Sequence, residues 1–194
     1  MKVISTFRFR TSGLWLVLAS LLACPATAHG QHSLDLDGRA LNPLHADPSK
    51  VVVLVFLRQD CPISSRYAPT IQRISKLYAD SASFWLVFPD KTESGVTIRK
   101  YLQDYGYHLP ALRDPEHELV KISRAQVTPE AAVFDRNHHL VYDGRIDDWY
   151  RYPGGARPAP TTHDLDDAVR AAIAGKSVDK NEVRGVGCYI SDLD

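Results

Sequence analysis

The sequence predicts an α/β domain: a mixed central sheet with helices on both faces. Three observations carry this. Residues 51–57 (VVVLVFL) form a β-branched, continuously apolar run of strand length, which reads as a strand covered on both faces. Runs of this kind alternate along the chain with stretches at helical spacing. Near the end, residues 130–134 and 139–146 read as two strands joined by a tight turn at 135–138. Alternation closed by an antiparallel pair gives a mixed sheet.

The elements follow in order. Residues 29–50 are polar, with Asp37-Gly38 as a turn between short strand-like pieces. After the strand at 51–57, residues 64–79 take helical spacing with Tyr67, Ile71, Ile74 and Tyr78 on one face, and Pro69 predicts a kink. A second buried strand is expected at 83–88. A helix follows over 94–105, with Val96, Ile98, Tyr101 and Leu102 as its apolar positions and Gly106 at its end. Residues 109–112 are extended and stop at Asp114-Pro115, and a short helix is expected at 117–124. The last helix spans about 162–174, with Thr161 or Thr162 as cap, Asp164 in its first turn and Gly175 closing it. The Pro/Gly-rich stretch 150–160 predicts a surface loop.

The 194 residues are 44% hydrophobic and 24% charged, which suits one globular domain. Lys+Arg and Asp+Glu both total 23, and this balance argues against nucleic acid as a partner. Lys2, Arg8 and Arg10 precede a short apolar run at 13–23, and Ala26-Thr27-Ala28 supplies a small-x-small cleavage pattern. Residues 1–28 therefore read as a signal peptide and 29–194 as the exported domain, periplasmic or secreted, with no transmembrane helix in the mature chain. Lipid anchoring at Cys24 and an uncleaved anchor are the other two readings of this segment. Export leaves Cys61 and Cys188 in a compartment that permits a disulfide.

Cys61 stands where the buried strand hands over to a helix. Backbone N–H groups at such a junction stabilise a thiolate, the nucleophilic form. Its neighbours Arg58, Gln59, Asp60 and Ser64 are polar, which predicts a thiol short of full burial.

The stretch 56–64 (FLRQDCPIS) resembles the active-site region of the thioredoxin-like superfamily. In that family an apolar strand ends five residues before the first catalytic cysteine, as Phe56 does before Cys61. A proline kinks the helix eight residues after it, as Pro69 does. Val127-Thr128-Pro129, followed by Ala131–Asp135 and Leu140–Gly144, is similar to the family's cis-proline and strand hairpin. Residues 141–148 and the late Gly187-Cys188 resemble the bacterial redoxin-domain proteins related to alkyl hydroperoxide reductase and thiol-specific antioxidant proteins. The resemblance spans about residues 33–190. It implies a three-layer thioredoxin-like fold and a thiol oxidoreductase or antioxidant without a cofactor. The implied partners are a protein or small-molecule disulfide or peroxide and an external thiol reductant.

The resemblance also carries site residues. Cys61 is the implied nucleophile. Ser64 replaces the second cysteine of the Cys-x-x-Cys motif, so no local disulfide can form, although its hydroxyl can donate to the thiolate. Leu54 and Arg58 stand where peroxiredoxins carry proline and threonine, a departure from their peroxide site, while Arg58 brings positive charge near the sulfur. Aligning instead on Pro62 would put Arg58 at the first cysteine's position. Pro129 is the implied cis-proline opposite Cys61, and Thr128 the implied backbone partner of an extended substrate. Glu130 is either a proton acceptor or a solvated strand end. Cys188 is a resolving thiol, half of a permanent bridge, or unpaired.

Two other functions fit the same residues. The eight histidines, among them His29, His32, His138, His139 and His163, motivate a copper-handling protein, although they are scattered and no metal site is assigned. A redox-silent binding module is the other.

Overall fold

The run at the heart of the prediction forms strand β3 (Val51–Phe56), in which every residue is buried. In this computed structural model, residues 33–178 and 184–191 are described. The expected signal peptide and Cys24, with His29 and His32, lie outside them. Alternate side chains of β3 serve two apolar clusters. Val51, Val53, Val55 and Leu57 face one, and Val52, Leu54 and Phe56 face the other. This is why the run lacks the polar alternation of a half-exposed strand.

Six more strands complete the sheet: β1 (Ser33–Asp35), β2 (Ala40–Leu41), β4 (Ala82–Phe88), β5 (Ala111–Arg113), β7 (Glu130–Phe134) and β8 (Leu140–Gly144). Their order is β2-β1-β5-β4-β3-β7-β8. β3, β4 and β5 run parallel, while β1, β2, β7 and β8 join as antiparallel neighbours. A separate two-stranded ladder pairs β6 (Val127–Thr128) with β9 (Cys188–Tyr189).

The helices are α1 (Pro62–Arg66), α2 (Ala68–Leu77), α3 (Gly95–Asp104), α4 (Glu118–Ser123) and α5 (Asp164–Ile173). Buried side chains of α1, α2, α3 and α5 belong to the first cluster, and Leu119 and Val120 of α4 to the second. The predicted mixed sheet with helices on both faces is therefore present. Among the described residues, no helix is long and apolar enough to cross a membrane.

Three local expectations need correction. The helix after β3 begins at Pro62 rather than 64. It breaks at Tyr67 into α1 and α2, because Pro69, in the first turn of α2, offers no N–H to carry the ladder through. The Tyr67 hydroxyl at the break donates to buried Asp147 at 2.5 Å. Val96 is an exposed position of α3, 74% accessible, while Ile98 and Tyr101 supply the buried face. Neither Thr161 nor Thr162 caps α5. His163 occupies that position, while Asp148 accepts from the Thr161 and Thr162 backbone N–H groups and the Thr161 hydroxyl. Gly175 does close α5, with a φ of +65°.

Candidate active site around Cys61

Cys61 is the residue immediately before α1, at the carboxyl end of the β3 segment. Its thiol donates to the Thr128 carbonyl at 3.1 Å. The Thr128–Pro129 peptide bond is cis, so the sulfur lies against the proline turn that the sequence places opposite it. Cys61 rather than Arg58 takes that position.

The second thiol arrives from the far end of the chain. β9 runs antiparallel to β6, with Cys188 opposite Thr128 and Tyr189 opposite Val127. Cys61 and Cys188 are both free thiols, and their side chains are hydrogen-bonded to one another. Burial works to raise the Cys61 thiol. Hydrogen bonds from the Cys188 thiol, from the Ser64 amide and hydroxyl and from the Cys188 amide outweigh it and hold Cys61 below the ordinary thiol range. Cys188 moves the other way, pushed up to about 11 by burial and by its place beside Cys61. Of the two neighbouring thiols, Cys61 is therefore the one that ionises first, giving up the proton it donates to Thr128, with Cys188 as a donor to the sulfur.

The expected partial exposure of Cys61 does not hold: the residue is 0% accessible. Of its polar flanks only Asp60 is exposed, and the sulfur lies against the Thr128 carbonyl with Cys188 beside it. Ser64 is equally buried, and its hydroxyl also accepts the Arg58 backbone N–H at 3.5 Å. The Arg58 guanidinium does not serve Cys61 as a free charge. It pairs with Asp60 at 2.9 Å and Asp90 at 3.1 Å and donates to the Tyr189 carbonyl at 3.3 Å, fastening the tail.

Glu130 is not a solvated strand end. It is 3% accessible, and its carboxylate accepts from the Gln126 N–H at 2.7 Å, the Val127 N–H at 3.4 Å and the Gly185 N–H at 3.1 Å. It binds the tail to the strand before the cis-proline.

Glu93 belongs to this region and escaped the sequence reading. Its carboxylate accepts the Gln59 N–H at 2.7 Å, and its other oxygen is buried without a hydrogen-bond partner. Burial, with Asp90 and Asp60 nearby, pushes it up to about 7. A lone acid in a polar loop gives no sequence signal for such burial. Among the described residues, no three His, Cys, Asp or Glu side chains converge as a metal site requires. His138 lies in the turn before β8, in a left-handed conformation, and packs edge-on against His45.

No protein-family model matches the chain, and no curated protein is similar to it in sequence. Solved structures do match. A hypothetical protein from Sinorhizobium meliloti superposes with a TM-score of 0.70 at 24% identity, covering 82% of this chain and 88% of that one. An uncharacterized conserved protein from Geobacillus kaustophilus gives 0.70 at 23%, covering 82% and 86%. A secreted Mycobacterium tuberculosis disulfide oxidoreductase, homologous to E. coli DsbE, gives 0.53 at 14%, covering 72% and 94%. With the mixed sheet, the cis-proline and the cysteine at the strand–helix junction, these likenesses establish that the chain has a thioredoxin-like fold.

Proposed function

We propose that this protein is an exported thiol oxidoreductase in which Cys61 is the nucleophile and Cys188 its intramolecular partner. The observation that carries the reading is the hydrogen-bonded thiol pair whose ionisations are driven apart, Cys61 down and Cys188 up. A redox-silent module has no use for that arrangement. The leader-like residues 1–28 support its operation outside the cytoplasm.

Towards a disulfide R–S–S–R′, the Cys61 thiolate attacks one sulfur. A Cys61–S–S–R bond forms, the S–S bond breaks, and R′–S⁻ leaves and takes a proton. Cys188, deprotonated, then attacks the Cys61 sulfur and expels R–S⁻. The two cysteines have lost two electrons and two protons, the substrate has gained them, and an external dithiol reductant restores the pair. Towards a hydroperoxide, Cys61 becomes a sulfenic acid with release of an alcohol, and Cys188 displaces water to give the same disulfide. Disulfide exchange is the better supported branch, since Arg58 is already engaged by two carboxylates and a carbonyl.

The test is turnover with a model disulfide and a hydroperoxide under a dithiol reductant. Cys61→Ser is expected to lose at least a hundredfold, and Cys188→Ser to stall as a mixed disulfide seen by mass spectrometry. Full activity in Cys61→Ser overturns the proposal.

A further inference from the structure

The edge of β6 is already occupied, and its occupant has a sequence. Cys188–Tyr189 pair with it as a short strand, with Gly187 before them and Ile190 after, the Ile190 N–H bonded to the Gln126 carbonyl. Each position meets a different demand. A side chain at 187 is excluded, because a Cβ there would stand 1.9 Å from the Thr128 carbonyl oxygen. Cys188 lies opposite Thr128, where its thiol meets Cys61. Tyr189 points outward and is 79% accessible, so its side chain is unconstrained. The Ile190 N–H donates to the Gln126 carbonyl at 2.9 Å. Its side chain is 5% accessible, in the apolar cluster that holds Leu54, Phe56 and Leu119.

Backbone pairing supplies general affinity in strand addition, and side-chain pockets supply selectivity. We propose that the β6 edge is a docking site for an extended polypeptide of the pattern Gly-Cys-x-aliphatic. The chain's own tail is its tethered occupant, which a partner's segment must displace. This rests on the proposed thiol chemistry and adds the class of partner: a protein that presents a cysteine in an extended segment, with glycine before it and an aliphatic residue two positions after it.

The full chain carrying Cys188→Ser, which keeps the tail in place and leaves Cys61 as the reactive thiol, is the starting point. Adding Gly187→Val prevents the tail from seating. Alkylation of Cys61 is then expected to rise at least tenfold. A synthetic peptide with the sequence of residues 184–191, with serine for the cysteine, is expected to restore protection, and the same peptide with valine for the glycine is not. Ile190→Ala, which loosens the tail without a clash, is expected to give the same pattern at smaller amplitude, with thermal melting reporting that each variant is folded. Unchanged alkylation in both folded variants, or equal protection by both peptides, overturns the proposal. Neither readout uses turnover. Loss of the redox reading, seen as an active Cys61→Ser, is therefore distinguishable from loss of this one.

Discussion

Cys188 lies directly across the β6–β9 ladder from Thr128, the residue whose carbonyl accepts the Cys61 thiol. One peptide group thus orients both sulfurs, one through a hydrogen bond and the other through strand register. The cysteines are far apart in sequence, yet they meet because the tail is the antiparallel partner of the strand before the cis-proline. The chemistry and the tail's docking are one structural fact.

The Cys188 thiol is the strongest of the donors holding the Cys61 thiol below its ordinary range. Cys188→Ala removes it, and the pH midpoint of Cys61 alkylation is expected to move up. Cys188→Ser keeps a donor and moves less. A hydrogen bond to a charged group contributes about 1.5 kcal/mol or more, so the thiolate fraction at neutral pH falls roughly tenfold in the alanine variant. Iodoacetamide alkylation followed across pH checks both direction and order. An unmoved midpoint would leave the Ser64 amide and hydroxyl and the Cys188 amide as the whole cause.

Oxidation of the pair closes a ring of about 127 residues. A ring of that length removes much freedom from the unfolded chain. The oxidised protein is expected to be about 2–4 kcal/mol more stable than the reduced protein. Chemical denaturation with and without reductant measures this difference, which should vanish in Cys188→Ser. Equal stability in the parent protein would show that no such bond forms.

The fold was legible where local physics dominates. The β-branched run at 51–57 is apolar throughout because both faces are covered, and Gly175 stops α5 because the chain turns left-handed there. The intervals from Phe56 to Cys61 and from Cys61 to Pro69 held, as did the cis bond at Pro129. The burial of Cys61 was not legible, because groups far along the chain, the Thr128 carbonyl and the Cys188 side chain, stand against its sulfur. Glu130 was ambiguous for the same reason: an acid opening a strand reads as solvated until the N–H groups around it are known. A signal for the tail did exist. Gly185 and Gly187 alternate before Cys188, and in an extended strand that places both on one face. Added Cβ atoms there would lie 2.9 Å from the Pro129 carbonyl oxygen and 1.9 Å from that of Thr128.

Glu93 is held up to about 7 by burial and neighbouring acids. A carboxyl raised on folding binds more protons folded than unfolded between its ordinary value near 4.5 and 7. Its contribution to stability is therefore full below that window and is lost as pH rises through about 7. Glu93→Gln keeps an acceptor for the Gln59 N–H and removes the titration. The variant is expected to match the parent below pH 5 and to exceed it by on the order of 2 kcal/mol at pH 8. Melting temperatures of both proteins across pH test this, and parallel profiles would contradict it.

Asp148 shows the opposite sign. Burial works to raise its carboxyl. Hydrogen bonds from the Thr161 hydroxyl and from the Thr162 and Thr161 amides, with Arg157 beside it, outweigh burial and hold it well below the usual carboxylate range. Its stabilisation is present above about pH 4, and it is lost as acid drives the pH down towards the lowered folded value. Asp148→Asn keeps one acceptor oxygen but sets an amide among donors. The expected cost is about 1–3 kcal/mol at pH 7, shrinking as the parent is acidified. The same substitution should loosen the segment between Trp149 and α5, because Asp148 is what fixes Thr161 and Thr162. Hydrogen exchange at the Thr161 and Thr162 amides is the decisive measurement. Faster exchange confined to this segment, with Cys61 alkylation unchanged, would separate this brace from the thiol site.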